Sequence, residues 1–406
     1  MFMKDWLLRL GLRFAHALLG LVSRLQVRIL KLICRPAASI IGGPIQRVLV
    51  VKLDELGDLA IAVPFLKTLR AQLPSAYITV VVNQSIAGLL EGMSDVKVLP
   101  VDVKCSRLLR PLILPLRHYR FVQRHLSDCN FDLCFIPRVD ADDRYATFLS
   151  YFTKAKRRIS FSEKSTRRKA TLNKSFDLLL TDAVPLTGVH HEAPANLLLL
   201  ERIGISAQAL HMPTSVPPRA LTRANEILPA DGTTYIAMCP TSGHSQLKQW
   251  GVRRFAELAK CLAAQDFKIV LFGGPADCAL GEQIEVAAPG RVINMIGKTS
   301  LAELAALVSR CAVFFGNDAG PMHVASMIGV STVAVFGSSC HHRFGPWAPS
   351  STTLVRPISC SPCANHQKDR CKVCVHEKTL CMESISPDDA FTAITSLLQT
   401  TEASVS

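Results

Sequence analysis

The chain has 406 residues, of which 49% are apolar and 19% charged, and it carries a net charge of +14 with a pI near 9.3. That length accommodates two domains of ordinary size, and the composition is that of a globular protein. The positive balance points to an anionic surface or substrate, while no zinc-finger, helix-turn-helix or RNP-type pattern supports nucleic acid as the partner.

The excess charge is concentrated at the start. Up to Arg47 there are eight Lys or Arg against the single acid Asp5. Residues 4–35 are Leu-rich but never free of charge for the length of a membrane span. On a helix, Arg9, Arg13, Arg24, Arg28, Lys31 and Arg35 fall within a sector of roughly 100°, with apolar residues on the remaining arc. That pattern predicts a helix lying in the membrane interface, its basic stripe toward anionic headgroups. Packing on the protein's own surface is the alternative. Residues 5–34 lack a small-residue cleavage site, so the segment does not read as a signal peptide. A short linker, Ala37 to Pro44, closes this first unit, residues 1–45.

Strands and helices then alternate, which predicts a parallel sheet covered on both faces. In residues 46–215, Arg47 to Lys52 is a buried strand, Leu56 to Leu59 a turn and Ala60 to Leu73 a helix. Ala76 to Val82 and Phe131 to Ile136 are further strands. The pattern loosens around Ser215 to Asp231, where four prolines gather, and the domain junction is placed there. A second series over residues 232–385 has strands at 235–239, 268–272, 292–294, 312–315 and 332–336. A last helix, Pro387 to Leu398, is placed across the junction, followed by a disordered tail after Thr400. Two doubly wound domains in tandem would face one another across a ligand cleft.

Gly316-Asn317-Asp318-Ala319-Gly320-Pro321-Met322-His323 is the most informative stretch. It reads as a strand end, a tight loop, and a helix opening at Gly320 or Pro321, since Pro is favoured at the first helical position. Such an opening offers N–H groups and a partial positive charge to an anion. Asp318 is read either as a ligand contact beside His323 or as the N-cap of that helix.

Four segments in order resemble glycosyltransferase family 9, the ADP-heptose:lipopolysaccharide heptosyltransferase family. They are Val51 to Leu59 with Pro64, then Pro240-Thr241-Ser242 through Lys248-Gln249-Trp250 and Phe255, then Phe272 to Asp277, and Gly316 to His323. The resemblance covers residues 46 to about 385. It implies an α/β protein of the GT-B class, two Rossmann-like domains facing a cleft, and an inverting transfer without a catalytic metal. Asp58 matches the family's catalytic base; alone it is also read as a helix cap, with Asp54 and Glu55 as nearby rivals. Lys248 matches the phosphate-contacting lysine, and Thr241 and Ser242 would add donors to the same diphosphate. Asp318, Ala319, Gly320 and His323 match the donor loop, although many members carry Ser or Thr where this chain has Ala319. Asp277 is placed on the ribose and Thr299 near the base. The implied partners are ADP-heptose or another nucleotide sugar, and a lipopolysaccharide-core acceptor. The implied location is cytoplasmic, peripheral on the inner face of the inner membrane.

The basic run Lys154, Lys156, Arg157, Arg158, Lys164, Arg167, Arg168 and Lys169 lies in the acceptor half. It is read either as a landing site for an anionic acceptor or as a solvated loop. His190, His191 and Glu192 are read as structural. Of the 14 Cys, several stand alone in apolar runs (Cys134, Cys239, Cys261, Cys311) and read as small core residues. The pairs Cys360/Cys363 and Cys371/Cys374, with Cys381, His366 and His376 near them, have spacing suited to structural zinc or iron. Catalysis itself calls for no cofactor. A same-fold transferase with another donor or acceptor, or a non-catalytic nucleotide-sugar-binding scaffold, are the rival readings.

Overall fold

The computed structural model of the chain describes residues 20–32, 43–188, 190–206, 216–243, 245–363 and 374–403. Among them are two parallel sheets of six strands. The first contains β1 (Arg47–Lys52), β2 (Tyr77–Asn83), β3 (Lys97–Val101), β4 (Leu133–Ile136), β5 (Arg157–Phe161) and β6 (Asp182–Val184). Their spatial order is β3-β2-β1-β4-β5-β6. The second contains β7 (Tyr235–Cys239), β8 (Lys268–Leu271), β9 (Val292–Asn294), β10 (Val313–Asn317), β11 (Ser331–Val335) and β12 (Ser351–Leu354), ordered β12-β11-β10-β7-β8-β9. The two orders are the same topology repeated. In each sheet the winding reverses between its first and fourth strands, β1/β4 and β7/β10. Doubly wound folds place ligands outside the carboxyl ends of strands at such a switch point.

The described helices of the first half are α1 (20–32), α2 (Leu56–Gln72), α3 (Arg110–His125), α4 (Ala146–Phe152), α5 (Arg167–Leu172) and α6 (Glu192–Leu197). Those that follow are α7 (Pro218–Ile227), α8 (Val252–Ala263), α9 (Cys278–Ala287), α10 (Leu301–Ser309), α11 (Gly320–Ile328), α12 (His341–Phe344), α13 (Leu380–Glu383) and α14 (Pro387–Ala403). Central strands are apolar throughout because helices cover both faces. One buried apolar layer is continuous through both halves. It runs from Val48 and Phe65 on the first sheet's side to Ala306, Met322 and Phe336 on the second's.

Several expectations need correction. The helix expected from Ala60 begins at Leu56, with Glu55 as N-cap, so the segment read as a turn is its first turn. Strands β3, β5, β6 and β12 carry Pro100, Arg157 and Arg158, Asp182, and Ser-Thr-Thr respectively, and so lack the apolar run that marks a buried strand. At the junction, α7 forms where prolines suggested a loose linker; Pro217 and Pro218 occupy its start, where a missing N–H does no harm. The last helix does not cross the junction. α14 packs on the second sheet, with Ala390 and Ile394 in that half's own core beside Met382 and Ile385. Trp250 is fully buried in the same core, and its Nε1 donates to the Ile385 carbonyl at 2.8 Å. Residues 4–19 and 33–42 of the expected N-terminal unit, Cys371, His366 and the tail from 404 lie outside the described residues.

α1 packs on the protein itself, but only along a narrow edge. Gly20, Ser23 and Val27 are buried; the Ser23 and Tyr145 hydroxyls hydrogen-bond at 3.0 Å, and Gln26 Nε2 donates to the Pro111 carbonyl at 2.6 Å.

Candidate active site

One cluster of polar side chains lies at the switch point of the second sheet. Asn317, the last residue of β10, is fully buried and stitches three loops together. Its Nδ2 donates to the carbonyls of Pro240 (2.9 Å) and Thr241 (3.3 Å), and its Oδ1 accepts the Trp250 N–H at 3.1 Å. This fixes where Asp318 leaves the strand. Asp318 is not the cap of α11; that position belongs to Ala319, in extended conformation, with Pro321 in the first turn. The Asp318 carboxylate is buried instead beside Lys248 Nζ (2.6 Å), accepts a hydrogen bond from the Ser339 hydroxyl, and faces His323 Nε2 at 3.8 Å. Burial pushes its pKa up, but Lys248 and His323 outweigh burial and hold it well below the usual carboxylate range. A fixed anion thus holds a lysine, itself presented by the 3-10 turn Gln246–Lys248, at the mouth of a helix N-terminus.

A second cluster lies at the switch point of the first sheet. Lys52, at the end of β1, is buried and spans to β4's end, donating to the Pro137 carbonyl at 2.7 Å and pairing with Asp54 at 3.0 Å. Arg138 follows Pro137. Its guanidinium meets Asp54 at 3.3 Å and Asp58 Oδ1 at 2.7 Å. Burial lowers the Arg138 pKa, yet Asp54, Asp58, Asp140 and Glu192 together raise it well above the ordinary value, so it stays charged. Asp58 Oδ2 takes a long bond, 3.4 Å, from the Glu55 N–H. The same carboxylate thus closes the capping box of α2 and pairs with Arg138. The neighbouring acids are paired as Asp58 is: Asp54 with Lys52 and Arg138, Glu55 with Arg144.

The two clusters touch. A Cβ on Gly57 would lie 2.6 Å from His323 Cδ2, and one on Gly320 would lie 2.9 Å from Leu56 Cδ2. The starts of α2 and α11 are thus in backbone contact, which sets His323 against the residue preceding Asp58. Behind them, His191 Nε2 donates to the Gly345 carbonyl at 2.8 Å and its ring stacks on Trp347 at 4.6 Å. Glu192 and Arg343 form a buried ion pair between the halves. A small cavity at this seam is lined by Ala60, Ile61, Pro64, His323, Met327 and Trp347.

The other expected residues fall as follows. Thr241 is buried at the end of β7, close to Gly273, where a Cβ would meet its methyl at 2.7 Å and Asp277 Cβ at 3.5 Å. Asp277 accepts the Gly274 N–H at 3.1 Å, and the Ser242 hydroxyl donates to the Ser245 carbonyl at 2.7 Å. Thr299 is half-buried in the loop between β9 and α10. Much of the basic run is structural. Arg158 and Lys169 are buried on backbone carbonyls, Lys156 and Arg157 pair with Asp132 and Asp182, and Arg168 pairs with Asp140 and Asp143. Lys154, Lys164 and Arg167 are exposed. Around the Cys pairs, Cys360 Sγ lies 3.5 Å from His376 Nε2, and Cys374 Sγ donates to the Lys378 carbonyl at 3.5 Å. Burial, then Cys374 and Cys360, raise the Cys381 thiol pKa. Among the described residues no group of three or more His, Cys, Asp or Glu is placed to hold a metal.

Sequence reasoning missed Arg138, Ser339 and the Glu192–Arg343 pair. For Arg138 a signal existed, a cation just past the end of a predicted strand. Ser339 carried none.

Residues 120–373 match the family described as Glycosyltransferase family 9 (heptosyltransferase), more than half of the chain. Lipooligosaccharide heptosyltransferase 2 of Campylobacter jejuni subsp. jejuni serotype O:6 is 27% identical over 185 residues, 44% of this chain. The match spans about half of that relative's length, 56%. Lipopolysaccharide heptosyltransferase 3 of Escherichia coli is 25% identical over 299 residues, 72% of this chain and 84% of the relative. The structure of E. coli ADP-heptose lps heptosyltransferase II superposes with a TM-score of 0.67 at 20% identity, covering 88% of this chain and 100% of that one. That likeness shows a shared fold. Two repeated doubly wound sheets, a built anion-facing helix start and the family match lead to one conclusion: the chain belongs to glycosyltransferase family 9, the heptosyltransferase family.

Proposed function

We propose that the protein is an inverting glycosyltransferase that moves a heptose from ADP-heptose to a lipopolysaccharide inner-core acceptor. The observation that carries the proposal is the packing of His323 against Gly57, the residue before Asp58, with Asp318 and Lys248 at the start of α11. In the reaction the acceptor hydroxyl oxygen bonds to the anomeric carbon as the bond from that carbon to the diphosphate breaks. Asp58 takes the hydroxyl proton as general base. Lys248 and the first N–H groups of α11 receive the charge that develops on the leaving diphosphate. Thr241, Ser242, Asp277, Thr299, Ala319 and Gly320 line the donor's path. The enzyme works on the cytoplasmic face of the inner membrane; no described helix is long and apolar enough to cross it.

The test is calorimetric titration of the full chain with ADP, UDP and GDP, beside turnover of ADP-heptose on a deacylated core acceptor. ADP-selective binding, with turnover lowered at least a hundredfold by Asp58→Asn while ADP still binds, supports the reading. Preference for UDP or GDP would keep the fold and replace the donor, a result that Ala319, with no hydroxyl in the donor loop, makes worth seeking. No nucleotide binding at all would favour a scaffold.

The Cys-rich segment is proposed to hold structural zinc or iron through Cys360, Cys363, Cys371 and Cys374, separate from the chemistry. Its support is the spacing of the two Cys-x-x-Cys pairs and the contact of Cys360 with His376. Elemental analysis of the purified protein checks it; a substoichiometric metal content would remove it.

A further inference from the structure

Two helices on the outer face of the first half carry matching apolar stripes turned away from the core. On α1 these are Leu21, Leu25, Ile29 and Leu32, at intervals of four, four and three. In α3 and the turn before it, Leu108, Leu112, Leu116 and Tyr119 repeat the same intervals. All eight are exposed, Leu32 by 78% and Leu112 by 61%. The opposite edges of the same helices, Val27 on α1 and Leu114 and Val122 on α3, lie in one buried cluster. Both stripes therefore face outward from the same side of the sheet. Gln26 bonded to the Pro111 carbonyl joins the two helices. A soluble surface rarely leaves so much contiguous apolar area to water.

Cations border the stripes. Arg24, Arg28 and Lys31 follow one flank of α1, and Arg120 and Arg124 follow one flank of α3. The stripes run along two helices joined at Gln26 and Pro111, an arrangement that suits an extended apolar partner. Apolar residues flanked by Arg and Lys are the chemistry of an interfacial helix on anionic lipid.

We infer that α1 and α3 together form the docking face for an anionic lipid bilayer, with the α3 stripe seated in the interface beside α1. The route from this face to the site is short and rigid. His118, buried on the inner side of α3, donates from Nε2 to the Arg144 carbonyl at 2.8 Å, and the Arg144 guanidinium pairs with Glu55, three residues from Asp58. The acceptor edge of the site is therefore fixed relative to the bilayer. An acceptor anchored by acyl chains reaches Asp58 without leaving the membrane; this last step rests on the proposed transfer, whereas the docking itself does not.

The experiment is flotation of the full chain with vesicles of phosphatidylcholine alone and with vesicles rich in phosphatidylglycerol. Because residues 1–19 carry Leu and Arg of their own, the decisive variant is on α3, Leu112→Glu with Leu116→Glu. Both positions are exposed, and an unchanged thermal midpoint verifies the fold. The wild type is expected to float with the phosphatidylglycerol vesicles in preference. The double variant should lose about tenfold in partitioning, and Val286→Glu, on exposed α9 surface, should lose nothing. A double variant that floats like the wild type overturns the inference, as does a wild type indifferent to lipid charge. A wild type that ignores vesicles but changes from dimer to monomer in the double variant overturns it too, and gives the face to a second copy. Failure here with intact ADP binding leaves the proposed reaction standing, so the two ideas are separable.

Discussion

Lys248 and Asp318 are coupled in a way that makes either one informative alone. The Asp318 carboxylate is buried, while the Lys248 side chain is 31% exposed. Lys248→Ala leaves a buried carboxylate with the Ser339 hydroxyl and His323, and is expected to lower stability by about 2 kcal/mol. That is less than the ~3–5 kcal/mol typical of breaking a dry pair, because solvent reaches the lysine. Denaturant unfolding measures the stability, and ADP titration of the same variant should show weaker binding. A variant as stable as the wild type would mean that Ser339 and His323 satisfy Asp318 unaided. Asp318's folded pKa lies below its unfolded one, so its stabilising effect is complete at neutral pH and is lost only in strongly acidic solution.

Among the elements, α2 and α11 are the pair whose starts define the site, and α3 is the one that reports pH. A methyl group on Gly57 would drive into the His323 ring, so Gly57→Ala should separate the two helix starts. Turnover is expected to fall at least tenfold, a misplacement effect, with the thermal midpoint little changed; undiminished turnover would show that the contact is dispensable. On α3, burial first and then Arg117 push the His118 pKa down to about 4, against 6.5 for a free imidazole, despite its bond to Arg144. Between those values the unfolded chain takes up a proton that the folded chain refuses. Stability should therefore fall as pH drops from about 6.5 towards 4, by of order 3 kcal/mol in full. Thermal midpoints across that range, compared with His118→Phe, check it through the slope; equal slopes would exclude His118 as the source. The same elements show what can be read from a sequence. The apolar runs of β1, β7 and β10 and the Gly320-Pro321 helix start were legible because burial and capping are local rules. β5 was not, since Arg157 and Arg158 look like a solvated loop until their carboxylate and carbonyl partners arrive from elsewhere in the chain. The place of Asp58 just past β1 was legible from the local sequence, whereas its partner Arg138 is 80 residues away and only the β1–β4 pairing brings them together.

At the scale of the molecule, a continuous apolar layer and, among the described residues, the buried charge pair of Glu192 with Arg343 hold the halves together. Glu192→Ala should cost about 3–5 kcal/mol by leaving the guanidinium buried alone, while Glu192→Met with Arg343→Met should recover much of that loss. A double-mutant cycle by denaturant unfolding measures the coupling, and additive losses would show that the pair contributes nothing as a pair. Trp250 bonded to Ile385 has a different consequence. The chain leaves the second sheet after β12, passes through the Cys-rich stretch, and is recaptured at Met382 and Ile385 by the core that holds Trp250. Both ends of that excursion are thus anchored independently of what lies between them. A segment fastened in this way can change in length between its anchors without unpacking the core of the second half.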